Sequence, residues 1–114
     1  MPASTSAKQP PRFLADFNKS RLARAFFTSA TEQSRVIRAA IAAEDSNNLA
    51  RAAHTIKGSS AQLGAVGVTV ATKELEDSAR LMNFELAQEQ FEFVTAKMHI
   101  ARRELHRWLA SRRS

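Results

Sequence analysis

Leu49-Ala50-Arg51-Ala52-Ala53-His54-Thr55-Ile56-Lys57-Gly58-Ser59-Ser60-Ala61-Gln62-Leu63 is the stretch whose reading decides the fold. Leu49, Ala53, Ile56, Ser60 and Leu63 recur at alternating steps of four and three, the spacing of a helix that buries one stripe against other helices. His54 lies one residue, about 100° of rotation, off that stripe and so at the border between core and solvent. Residues three and four apart are neighbours on a helix, which puts His54, Lys57 and Gly58 on one patch, with Ala61 a turn further on. A glycine inside a helix costs roughly 1 kcal/mol relative to alanine. Clearing space beside His54 for another molecule would account for it.

Outward from this segment the chain reads as helices with short joints. Asp45 or Ser46 can cap the start of the His54 helix, and Gly64 suits a left-handed position at its end. Before it, a long helix is predicted from about Ser20, as N-cap, to Ala43, with Leu22, Phe26, Ala30, Gln33, Ile37 and Ala40 as its buried stripe. After it, a helix over about 66–81 presents Val68, Ala71, Leu75, Ser78 and Met82. Asn83 can cap the last helix, which runs to about Ala110 with a regular seam of Ala87, Phe91, Val94, Met98, Ala101, Leu105 and Trp108. Residues 1–11, small, polar and closed by Pro10-Pro11, read as a disordered tail or linker, and a short extra helix is expected from Arg12 through Asn18. No strand-like alternation and no internal repeat is visible. The expected fold is all-α: an antiparallel up-down four-helix bundle with a short N-terminal helix, one domain over 12–114.

Composition narrows the function classes. A chain of 114 residues holds one domain and a modest core. No run approaches the roughly 18 apolar residues of a membrane span, so no membrane insertion is expected. The N-terminus lacks the apolar centre of a secretory signal, and with no cysteine there are neither disulfides nor thiolate metal sites; a cytoplasmic location fits. The formal charge of +6 is high for this size. Much of it sits in Arg102, Arg103, Arg107, Arg112 and Arg113, which read as a solvated helix end rather than a nucleic-acid site, because no aromatic other than Trp108 interleaves with them.

On spacing alone, His54 would be a satisfied histidine at the edge of the core. His99 and His106, seven residues apart, are separated by about 10 Å along a helix, too far to share one metal ion, and read as surface residues. If His54 has a chemical role, its ring needs a fixed tautomer. A carboxylate accepting a bond from Nδ1–H would leave the Nε2 lone pair free. Glu76, one residue off the stripe at Leu75, is so placed; the competing reading is a solvated surface carboxylate.

The order Ala53-His54-Thr55-Ile56-Lys57-Gly58-Ser59-Ser60-Ala61-Gln62-Leu63-Gly64-Ala65 resembles the signature of histidine-containing phosphotransfer (HPt) domains of bacterial phosphorelays. The similarity extends to Lys73-Glu74-Leu75-Glu76 and to the helical layout of about 12–110. The resemblance implies that His54 accepts a phosphoryl group, that Lys57 places an ammonium beside it, and that Glu76 stands where Gln or Glu supports the histidine. It also implies a supporting role for Arg80, which shares a face with Lys73 and Thr72 and would pair with Glu76 or meet the partner. Gly58, Ala61, Gln62, Lys73 and Arg80 are then the expected docking residues; Ser59, though it fits the motif, is expected only to bond its own helix.

The implied partners are receiver domains of a hybrid sensor histidine kinase or of a response regulator, with nucleic acid not expected. No Gly-rich phosphate loop or Walker sequence is present, so no cofactor of its own is expected and the phosphoryl group must come from a partner. Mg²⁺ would belong to the receiver, and the chain would be a phosphocarrier rather than an enzyme. The linker-like start also fits the cytoplasmic C-terminal module of a membrane-bound sensor kinase; a free-standing protein is the alternative. Two other readings compete: a basic adaptor binding nucleic acid or membrane through its arginine-rich last helix, and a scaffold of the same fold without turnover.

Overall fold

The computed structural model describes residues 19–112, with side chains from 21 to 111. The tail and short helix expected over 1–18 lie outside the described residues. Four helices account for nearly all of the rest: α1 (Lys19–Ala43), α2 (Ser46–Leu63), α3 (Val66–Arg80) and α4 (Phe84–Arg112). No described residue is in a strand.

The joints explain why the helices stop where they do. At the end of α2 the backbone N–H of Gly64 bonds the carbonyl of Ala61 and that of Ala65 bonds Ser60, with Gly64 at φ 85°. This is a Schellman closure around a left-handed residue. The same closure ends α1, through Glu44 to Ile41 and Asp45 to Ala40, and ends α3, through Met82 to Ala79 and Asn83 to Ser78. There the left-handed residues are Glu44 (φ 53°) and Met82 (φ 55°), neither of them glycine. Caps then restart the chain. The carboxylate of Asp45 accepts from the N–H of Asn48 at 3.1 Å, and the side-chain oxygen of Asn83 accepts from Leu86 N–H at 3.1 Å.

Each helix packs against its neighbours in sequence, and α1 also meets α4, so the four form a ring. α2 buries Leu49, Ala52, Ala53, Ile56, Ser60 and Leu63, and α4 buries its expected seam, with Met98 packed at the margin. Four positions depart from expectation: Leu22, Gln33, Met82 and Ser20. Gln33 is only half-buried, and its neighbour Ser34 takes the buried place on α1. Leu22 is 46% exposed, because the stripe of α1 enters through Ala23 and continues through Phe26, Phe27, Ala30, Ser34 and Ile37, about 100° round from Leu22. Met82 is 63% exposed: the chain turns left-handed at that residue and swings it off the α3 stripe. Ser20 lies within α1 rather than capping it.

Between α2 and α3, the Ser60 and Thr69 hydroxyls are 2.8 Å apart, and His54 meets Glu76. Between α1 and α4, the guanidinium of Arg38 lies over the ring of Phe91 and that of Arg102 over Phe27.

Candidate functional site

Glu76 organises the site. Leu75 on its N-terminal side is fully buried, and the α3 stripe widens at this level to take in Thr72 and Glu76 as well. The Glu76 side chain is 4% exposed, far from the solvated carboxylate that pattern alone allowed. A buried carboxylate is tolerated only when paired and hydrogen-bonded. Here three partners converge on it. Lys57 Nζ lies 2.7 Å from Oε1, while Arg80 donates to Oε2 at 2.6 Å and His54 Nδ1 is 3.2 Å from Oε2. Burial is the strongest single influence on this carboxyl and pushes its pKa up. The bonds from Lys57, Arg80 and His54, with the Lys57 charge, outweigh it and bring the pKa down from 4.5 to about 2.

That charge state fixes the histidine. An ionised carboxylate can only accept, so Nδ1 of His54 carries the proton and Nε2 carries the lone pair. The His54 side chain is 65% exposed, and no described residue bonds Nε2. The ring nitrogen with the lone pair is therefore on the exposed side while the opposite edge of the imidazole is held. Lys57, at 28% exposure, lies between core and surface on the same patch. Two cations around one carboxylate leave an excess of positive charge beside Nε2, suited to an incoming anionic group.

Gly58 sits one turn from His54, and a methyl group built on it would meet nothing within 4 Å. The absent side chain thus leaves open space on the outer face. Ala61, Gln62, Lys73 and Arg80 are exposed on the α2–α3 side of the bundle. Lys73 is tied to Asp77 at 3.0 Å along the surface of α3. Thr72, expected to share the Arg80 face, is instead fully buried and donates to the carbonyl of Val68. The hydroxyl of Ser59 donates to the carbonyl of Thr55 at 2.7 Å.

The structure brings His54, Lys57, Glu76 and Arg80 into one cluster; His99 and His106 lie apart from it on α4. What sequence reasoning missed is that Lys57 is engaged by Glu76. Lys57 and Glu76 sit on different helices, so no local spacing could have shown it. Among the described residues no group of three or more metal-ligating side chains is placed to hold an ion, and no helix is long and apolar enough to cross a membrane.

The family model described as Hpt domain matches residues 21–111, which take in all four helices almost entire. No curated protein and no solved structure matches this chain.

Proposed function

We propose, on the premise that this chain belongs to the Hpt domain family, that it is a phosphorelay intermediate in which His54 takes a phosphoryl group from one receiver domain and gives it to another. Members of the family are phosphocarrier modules of two-component signalling rather than kinases. The observation that carries the finer reading is the exposed imidazole whose Nδ1 is held by an ionised, buried glutamate.

In the proposed step the Nε2 lone pair attacks phosphorus in line, the N–P bond forms, and the O–P bond to the receiver aspartate breaks, releasing a carboxylate. The imidazole gains positive charge as it does so. Glu76, hydrogen-bonded to Nδ1–H, balances that charge, and Lys57 with Arg80 offsets the phosphoryl oxygens. Mg²⁺ would be supplied by the receiver. Docking would use the α2–α3 side around Gly58, Ala61, Gln62 and Lys73, where Gly58 leaves room for approach to His54. The receiver could belong to a hybrid sensor kinase or a response regulator, in the cytoplasm.

The scaffold for this reading is an up-down antiparallel bundle. It is supported by cross-helix pairs in which one number rises as the other falls: His54–Glu76 with Ser60–Thr69, and Phe27–Arg102 with Arg38–Phe91.

The test is incubation with phosphorylated receiver domains. Label should pass to this protein, resist alkali and be lost in acid, as a phosphoramidate is. Label that survives acid would be a phosphoester, and label lost in alkali an acyl phosphate; either result would reject the assignment.

A further inference from the structure

The ring order of the helices places the α1–α4 groove on the opposite side of the bundle from His54 and Glu76. That groove has its own chemistry. Arg38 of α1 lies 5.4 Å from the ring centre of Phe91, and Arg102 of α4 lies 5.0 Å from that of Phe27. Each guanidinium is thus held against the opposite helix by a ring that is itself buried. Neither is ion-paired among the described residues. A guanidinium laid on an aromatic face has its planar fork already oriented, so less side-chain freedom is lost when it meets a carboxylate.

Between these two arginines runs a half-open trough of about 240 Å³ with no acidic residue in its lining. Arg35 and His99 add further basic groups, and Arg35 is tied only to exposed Glu32 at 3.4 Å. Ser34 and Thr95 supply hydroxyls on the two walls, with Met98 as an apolar element. Phe27 and Arg38 are eleven residues apart on α1, as are Phe91 and Arg102 on α4, so the two stacked pairs lie about 16 Å apart along the bundle. A compact anion would not span it; about five residues of extended chain would, at about 3.3 Å each.

We infer that the α1–α4 groove binds an extended acidic peptide segment of a partner protein, its carboxylates meeting Arg38 and Arg102 and its backbone meeting the Ser34 and Thr95 hydroxyls. A nucleic-acid strand fits less well, because strand binding relies on exposed rings for bases to stack on, and both rings here are buried beneath arginines. The inference does not depend on phosphotransfer at His54.

The test is titration of the whole protein with a fluorescent pentaglutamate peptide, beside a pentaglutamine control, with backbone amide shifts read by NMR. Pentaglutamate should move the amides of Ser34, Thr95 and His99, and bind less tightly as salt is raised. The Arg38→Gln/Arg102→Gln double variant should lose about tenfold or more in affinity. Thr95→Asp, an exposed change that should not disturb folding, should weaken binding similarly by placing a negative charge in the trough. His54→Gln should bind as wild type does. Shifts confined to Arg103, Arg107 and Arg112, equal binding by both groove variants, or tighter binding of a single-stranded oligonucleotide to the same residues would overturn the inference.

Discussion

A single buried carboxylate holds the site together, and its removal should be informative in kind as well as degree. Glu76 touches Lys57, Arg80 and His54 but would make no bond to phosphorus. Glu76→Ala should therefore slow phosphotransfer without eliminating it. Support of this sort at metal-bound histidines is worth about 10- to 100-fold, and the same scale is expected here. Nitrogen NMR should show the His54 ring losing its preference for the proton on Nδ1. An unchanged single-turnover rate with unchanged tautomers would mean that the ring is oriented by something else. At this scale the sequence was partly legible. The offset of Glu76 from Leu75 suggested that it could reach His54, whereas its burial and its grip on Lys57 depend on how closely α2 and α3 approach, which no single helix encodes.

Helix ends and one mid-helix glycine carry the lessons at the level of the element. Three helices close through a left-handed residue, yet only Gly64 advertised it. Glu44 and Met82 adopt the same geometry with a side chain attached, at a cost of roughly 1 kcal/mol each, so no residue type announces those turns and spacing alone carries the α3 stripe on to Met82. Glu44→Gly and Met82→Gly should each stabilise the fold by up to about 1 kcal/mol, since both side chains are exposed. Thermal melts that fall instead would show that these side chains make contacts that outweigh the backbone strain. Leu22 failed for a different reason: two adjacent apolar positions were available, and the spacing to Phe26 and Phe27 decided for Ala23. Gly58 should separate stability from the proposed docking role within α2. With open space where its Cβ would be, Gly58→Ala should be neutral or stabilising by up to about 1 kcal/mol. Gly58→Leu should still fold but obstruct receiver docking, seen as intact melting with reduced labelling. Unfolding of Gly58→Leu would contradict the open face.

For the molecule as a whole, the folding equilibrium should carry the imprint of the site. The carboxyl of Glu76 drops from 4.5 unfolded to about 2 folded, so its ionisation favours the folded state. The contribution is complete above the unfolded value and disappears as pH falls from about 4.5 towards 2, with a ceiling of about 3 kcal/mol. Wild type should lose stability more steeply than Glu76→Gln across that window; parallel curves would show that the ion cluster does not bias folding. The all-helical architecture was readable from periodicity, because the seams of α2 and α4 repeat at fours and threes with few interruptions. The assignment of chemistry to one face rests on His54. The most direct measurement is therefore single-turnover label transfer from a phosphorylated receiver to wild type and to His54→Gln, with circular dichroism on both. Because His54 lies outside the buried stripe, the variant should keep its helical signal and melting temperature while acquiring no label; a folded His54→Gln protein that is labelled at the wild-type rate would contradict the account.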